Sequence, residues 1–303
     1  MPLVSVGTCR TSRADIELFY ETFGDPKDEA LILIMGLGAQ MLGWDERLCE
    51  NLAAKGYYVV RFDNRDCGLS CHLDDLGLPY FIINYLKRWC GMQPWTPYTL
   101  SDMALDVVRL MDALEIPSAH IAGASMGGMI GQILTMEHPD RVRSLCSIMS
   151  TTGASGLPQP SFSMLLQMIK PAPSDREGRI AHSIKTIQML TKPEDVDTVR
   201  TRAYVERCLD RTMWRAGTSR QLCAVAATPD RTAALRSIRM TIPVLVMHGV
   251  HDPLVTFAHG EATHAAVPHS ELRALDMGHI MVPRNIEAIA EGLHHNAQKA
   301  QRQ

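Results

Sequence analysis

The chain lacks most of what would direct it to a membrane, a nucleic acid or an oxidising compartment. It has no long apolar run: the best, residues 31–42, is cut by Gly36, Gly38 and Gln40, so no membrane span is expected. It has no excess of one charge, since 30 Lys plus Arg stand against 33 Asp plus Glu for a net charge of −3. No basic run tracks phosphates, so nucleic acid is not an expected partner. Residues 1–16 alternate polar and apolar and carry Arg10, Arg13 and Asp15, which is no signal peptide; a cytoplasmic location is the expectation. Eight cysteines are present, but without an export signal a disulfide framework is not expected. Cys146 falls in an apolar-periodic stretch and reads as a small core residue. Cys67, Cys71 and His72 have a loosely metal-like spacing. No second pair at zinc-finger spacing accompanies them, so no metal is expected. Internal repeats and low-complexity stretches are also missing.

What is present is the balance of a globular protein: 303 residues, 46% hydrophobic and 21% charged. That is enough for one large domain with an insertion. Apolar strands alternate with helical patterns. Residues 16–22 alternate like a half-buried strand and stop at Gly24-Asp25-Pro26. Residues 31–35 are a continuous apolar run, as in a strand covered on both faces, and residues 57–62 read as another buried strand. Residues 44–54 read as a helix, and residues 73–97 as an irregular surface excursion. Thr99 with Asp102 three residues on makes a capping-box start, and Met103, Val107, Met111 and Leu114 follow at helical spacing. Strand 119–123, helix 126–137 and strand 142–149 come next. After Thr151 the pattern changes: residues 153–173 are rich in Pro and Ser, and residues 175–227 give amphipathic helices without a strand. Strand 244–247, helix 257–266, strand 271–275 and helix 285–294 close the order. The whole predicts an α/β fold, with a mostly parallel sheet and helices on both faces. The helical insertion should form a lid over the carboxyl edge of the sheet, where such folds bind ligands.

One motif carries chemistry. Gly123-Ala124-Ser125-Met126-Gly127 fits Gly-x-Ser-x-Gly, a short pattern common by chance. Its context is a strand directly before and a helix directly after, the setting of a nucleophile elbow. Gly123 and Gly127 would remove collisions around a strained serine. A serine hydroxyl needs a base. Of twelve histidines, His279 follows the last predicted strand in Asp276-Met277-Gly278-His279; His248 and His251 are its competitors. Asp252 follows strand 244–247 and can orient the imidazole, with Asp276 the weaker alternative acid. Two N–H donors must meet the oxyanion. Met126 supplies one, and Leu37, in the loop Met35-Gly36-Leu37-Gly38, supplies the other.

These residues resemble the α/β-hydrolase family, and within it the small-ester group that includes the aclacinomycin-type methylesterases. The matching pieces are Phe23-Gly24-Asp25-Pro26, Met35-Gly36, Gly43-Trp44, the run from Arg61 to Ser70, Ser125-Met126-Gly127, His251-Asp252-Pro253 and Met277-Gly278-His279. They cover roughly residues 16–150 and 240–295. The resemblance implies an α/β-hydrolase core over residues 1–154 and 229–303, with a helical cap over 155–228. It also implies a Ser125-Asp252-His279 triad, with Leu37 and Met126 as oxyanion donors, that hydrolyses a small-molecule ester without a cofactor. Many family members have His-Gly where this chain has Met35-Gly36, and the cap shows no match, which leaves the ester open. The run from Asp63 to Ser70 reads as turn structure. Serine nucleophiles of this fold also serve carbon–carbon bond hydrolases and cofactor-free perhydrolases. A ligand-binding protein that has kept the fold is the reading of a different class.

Overall fold

A computed structural model describes residues 2–79, 87, 90, 92, 94–212 and 216–301. Much of the expected surface excursion at 73–97 lies outside the described residues. The sheet has eight strands: β1 (Leu3–Thr8), β2 (Asp15–Phe23), β3 (Glu29–Ile34), β4 (Tyr57–Phe62), β5 (Ala119–Ala124), β6 (Val142–Ile148), β7 (Val244–Gly249) and β8 (Glu271–Leu275). Their spatial order is β1-β2-β4-β3-β5-β6-β7-β8. β1 and β2 run antiparallel, and every pairing from β4 to β8 is parallel.

The central strand β3 feeds two cores because successive side chains point to opposite faces. Ile32 and Ile34 join one cluster, with Val107 and Met111 of α2 (Leu100–Ala113) and Ile130 and Leu134 of α3 (Met126–Glu137). Leu31 and Leu33 join the other, with Leu48 and Leu52 of α1 (Glu46–Ala54) and Ile289 and Leu293 of α10 (Ile286–Gln301). Cys146 is buried in the second cluster. The capping box is formed in both directions: Thr99 Oγ1 accepts from the Asp102 N–H, and Asp102 Oδ2 accepts from the Thr99 N–H.

Between β6 and β7 the chain makes α4 (Phe162–Ile169), α5 (Arg176–Leu190), α6 (Thr198–Arg211), α7 (Ala216–Ala227) and α8 (Thr232–Leu235). Ile180, Val205 and Leu209 give this segment a small core of its own. α9 (Phe257–Ala266) lies between β7 and β8. Two elements go beyond the pattern reading. β1 buries only Val6 and exists by pairing with β2, so its own sequence carries little signal. α4 sits among prolines and serines, and its burial departs from its apolar pattern: Phe162, Leu165 and Leu166 are exposed while Gln167 is buried. The Ser161 hydroxyl caps it by accepting from the Met164 N–H.

The Asp63-to-Ser70 loop is turn structure held by buried ion pairs. Arg65 grips Asp106 through two bonds of 2.7 and 2.6 Å. Asp66, at φ +65°, takes two from Arg220 of α7, at 2.8 and 2.6 Å. Removing one partner of such a pair leaves the other charge stranded.

His120 on β5 gives the fold an acid-side weakness. It is 2% exposed, and burial pushes its imidazole down to about 4, although Glu29 pulls the other way. Below 6.5 the unfolded chain takes up a proton here that the folded chain refuses. Stability is therefore present above 6.5 and drains as pH falls toward 4. The cost is about 2–3 kcal/mol at pH 4.5. Urea unfolding of His120→Gln should show a smaller loss of midpoint between pH 7 and 4.5 than the parent; equal losses would acquit His120.

Candidate active site

Ser125 stands between β5 and α3 at φ 55°, ψ −118°, a region L-residues seldom occupy. The elbow glycines permit it. A Cβ on Gly123 would lie 2.1 Å from the Gly127 carbonyl oxygen, and one on Gly127 would lie 2.1 Å from that of Ile34. Both obstacles are backbone and cannot swing away. The Ser125 carbonyl accepts the Gly128 and Met129 N–H groups at 2.9 and 3.2 Å, which starts α3. The Met126 N–H precedes that ladder at the positive end of the helix and has no hydrogen-bond partner among the described residues.

His279 and Asp252 arrive from loops after β8 and β7. His279 Nε2 is 3.0 Å from Ser125 Oγ, and His279 Nδ1 is 2.6 Å from Asp252 Oδ2. Asp252 Oδ1 accepts the Leu254 and Val255 N–H groups at 2.9 and 2.8 Å, so its carboxylate cannot rotate freely. Asp252 is 5% and His279 7% exposed. Gly278 matters for close approach: a Cβ there would lie 2.3 Å from the Leu190 carbonyl. That carbonyl also accepts the His279 N–H at 2.7 Å.

The competitors lie elsewhere. His248 is buried behind Asp252, and its Nε2 donates to the Val255 carbonyl at 2.7 Å. Burial holds its imidazole below the usual histidine range. His251 is exposed and 3.1 Å from Asp276. Asp276 is bound by Lys192 and then Arg284, which hold its carboxyl down to about 2 on the surface.

The loop after β3 lies against the elbow. Gly36 fits where a Cβ would come 3.1 Å from Ser125 Cβ. The Ala39 N–H returns to the Gly36 carbonyl at 3.2 Å, with Gly38 at φ +63°. That is a tight turn whose third residue needs a left-handed conformation. The Leu37 N–H, at the turn's second position, has no hydrogen-bond partner among the described residues. A cleft of about 480 Å³ opens over Ser125, Leu37 and His279, walled on the far side by Met168, Ile187 and Tyr204 of the β6–β7 segment. Such an array can pass a proton from hydroxyl to imidazole while two N–H groups face a developing oxyanion. Pattern reading did not find Leu190 or Gln221, which touch the site loops from the β6–β7 segment. Neither has a local motif, because each contact joins distant parts of the chain.

A twisted parallel sheet with a strained serine at a strand–helix turn places the molecule in a recognisable class of folds. The profile described as alpha/beta hydrolase fold matches residues 29–284, and the chain belongs to that family. Among curated proteins it is similar to the rhodomycin D methylesterase DauP of Streptomyces sp. (strain C5), 26% identical over 89% of this chain and 91% of that protein. It is also similar to 3-oxoadipate enol-lactonase 2 of Acinetobacter baylyi, 27% identical over 88% of this chain and 87% of that one. Among solved structures, the enol-lactonase from Burkholderia xenovorans superposes with a TM-score of 0.69 at 21% identity, covering 93% and 97% of the two chains. Among the described residues, no helix is long and apolar enough to cross a membrane.

Proposed function

We propose that this chain is a carboxylic ester hydrolase that works through an acyl-enzyme on Ser125. The observation that carries the reading is the unbroken line Asp252–His279–Ser125, with contacts of 2.6 and 3.0 Å, at the floor of the cleft. Ser125 Oγ adds to the ester carbonyl as its proton passes to His279 Nε2. Asp252 keeps the imidazole in the tautomer that can accept there, and stabilises the cation. The Leu37 and Met126 N–H groups take the oxyanion. Collapse expels the alcohol, which leaves with the proton from His279. Water then repeats the sequence on the acyl-enzyme and frees the acid.

The segment at residues 155–228 acts as a cap that shapes the acyl pocket. The pocket wall is largely apolar: Leu37, Met149, Met168, Ile187, Leu190 and Leu254 face it. Among the described lining residues, Arg200 is paired with Asp45, Asp66 with Arg220 and Asp195 with Arg284. Small to medium uncharged apolar esters, methyl esters among them, fit that lining, and the methylesterase and enol-lactonase relatives act within the same bond class. The test is a panel of methyl, aryl, lactone and β-diketone substrates, together with a serine-reactive phosphonate. Turnover of the uncharged esters and labelling of Ser125 by the phosphonate are expected. Absence of labelling, with no ester turned over, would leave a binding protein on this fold.

A further inference from the structure

The turn after β3 is not held by its own loop alone. The Gly38 N–H donates to Gln221 Oε1 at 2.8 Å, and Gln221 Nε2 donates to the Arg65 carbonyl at 2.8 Å. Gln221 lies on α7, on the far side of the β6–β7 segment, and is fully buried. Its helix cannot drift. Neighbouring Arg220 is locked onto Asp66, and a Cβ on Gly217 would lie 2.1 Å from the Asp66 carbonyl oxygen. The Arg65 backbone on the other side is fixed by that residue's grip on Asp106. Gln221 is thus a rigid post between two anchored elements.

The Gly38 N–H belongs to the central peptide of the Gly36–Ala39 turn. The Leu37 N–H lies on the preceding peptide, so it follows Gly38 as the short turn shifts as a unit against the elbow. A buried acceptor held between two anchored elements fixes where that unit sits, because a displaced turn would leave the Gly38 N–H unmet.

We propose that Gln221 is a positioning residue for the oxyanion loop: it pins the Gly36–Ala39 turn at Gly38, so that the turn stays seated against the elbow and the Leu37 N–H stays aimed at the attacked carbonyl oxygen. This rests on the reading of Leu37 as an oxyanion donor. Gln221 touches no reacting atom; it acts through Gly38. Its loss weakens the transition state more than the ground-state complex, because the oxyanion forms only on the way to the tetrahedral state.

The experiment compares Gln221→Leu and Gln221→Glu with the parent on p-nitrophenyl acetate, and titrates each with a trifluoromethyl ketone. The ketone's hemiketal on serine carries the same oxyanion. Gln221→Leu should lower kcat by about 10–100-fold, somewhat less than outright loss of a donor. KM should stay within a few-fold, and the ketone's Ki should rise by the factor that kcat/KM falls. Gln221→Glu keeps an oxygen facing the Gly38 N–H; buried against the Arg65 carbonyl, its carboxyl should stay protonated and donate there as the amide does, so it should recover most of kcat. Unchanged kcat in Gln221→Leu overturns the proposal. So does a fall in kcat with ketone affinity intact, or equal damage in both variants. Should Gln221→Leu fail to fold, Gln221→Met, unbranched and of similar length, carries the same expectations. Ser125→Ala, run alongside, separates the two ideas. Residual turnover there removes the serine mechanism. A dead Ser125→Ala beside an unimpaired Gln221→Leu removes only the role of Gln221.

Discussion

Ser125→Ala is expected to lower ester turnover by at least about 10⁴-fold, with the thermal midpoint close to that of the parent. The fold should tolerate the change because alanine meets the same φ of 55° that serine already occupies. Neither side chain fills the space that Gly123 and Gly127 keep open. What goes is the only hydroxyl within 3.0 Å of His279 Nε2 among the described contacts. The cleft walls and the open N–H groups stay, so substrate should still bind. The measurement is initial rate on p-nitrophenyl acetate beside a melting curve. Turnover within tenfold of the parent, from a folded variant, would take the nucleophile away from Ser125.

The second large effect is expected at Asp252. Asp252→Asn should cost about 10⁴-fold in kcat, the scale set by the same exchange in a serine protease triad. The local geometry says why the amide cannot adapt. Asp252 Oδ1 faces two backbone donors, the Leu254 and Val255 N–H groups. An asparagine must keep its carbonyl oxygen there, so its NH₂ turns toward His279 Nδ1. Nδ1 must then be the acceptor and Nε2 must carry the hydrogen, the wrong tautomer to take a proton from Ser125. Binding should be little altered, so the loss should fall on kcat. A variant whose kcat is within a few-fold of the parent would mean that His279 is oriented by something other than Asp252.

Much of this architecture was legible because it is written locally. β4, α3, α9 and β8 sit where apolar patterning and turn punctuation put them. The family, too, was readable from short motifs around Ser125 and Asp252. β1 was not, because one buried side chain, Val6, and a pairing partner make no local pattern. α4 was not, because its exposed apolar residues and buried Gln167 run against the usual inside–outside pattern. Helix α10 runs to Gln301, past the predicted end near His294, because it keeps packing on the second core through Ala297. At the site, the residues standing next to Ser125 were readable one by one from strand ends. Their supports were not. The Leu190 carbonyl and the Gln221 amide reach residues 89 and 183 positions away, if Leu190 to His279 and Gly38 to Gln221 are counted along the chain. Separations of that length leave no trace in local pattern.

The helical segment between β6 and β7 bonds to two different loops of the site, at His279 and at Gly38. The two bonds differ in what they ask of evolution. Position 190 contributes a main-chain carbonyl, so almost any side chain can stand there if the helix ends in the same place. Position 221 contributes a side-chain amide and tolerates no such drift. An engineer exchanging this segment for a relative's, to change which ester is taken, is therefore swapping more than a wall. If Gln221 acts as proposed, the graft must arrive with its helix end in register and an equivalent hydrogen-bonding side chain at position 221, or it will retune the pocket and detune the chemistry in the same step.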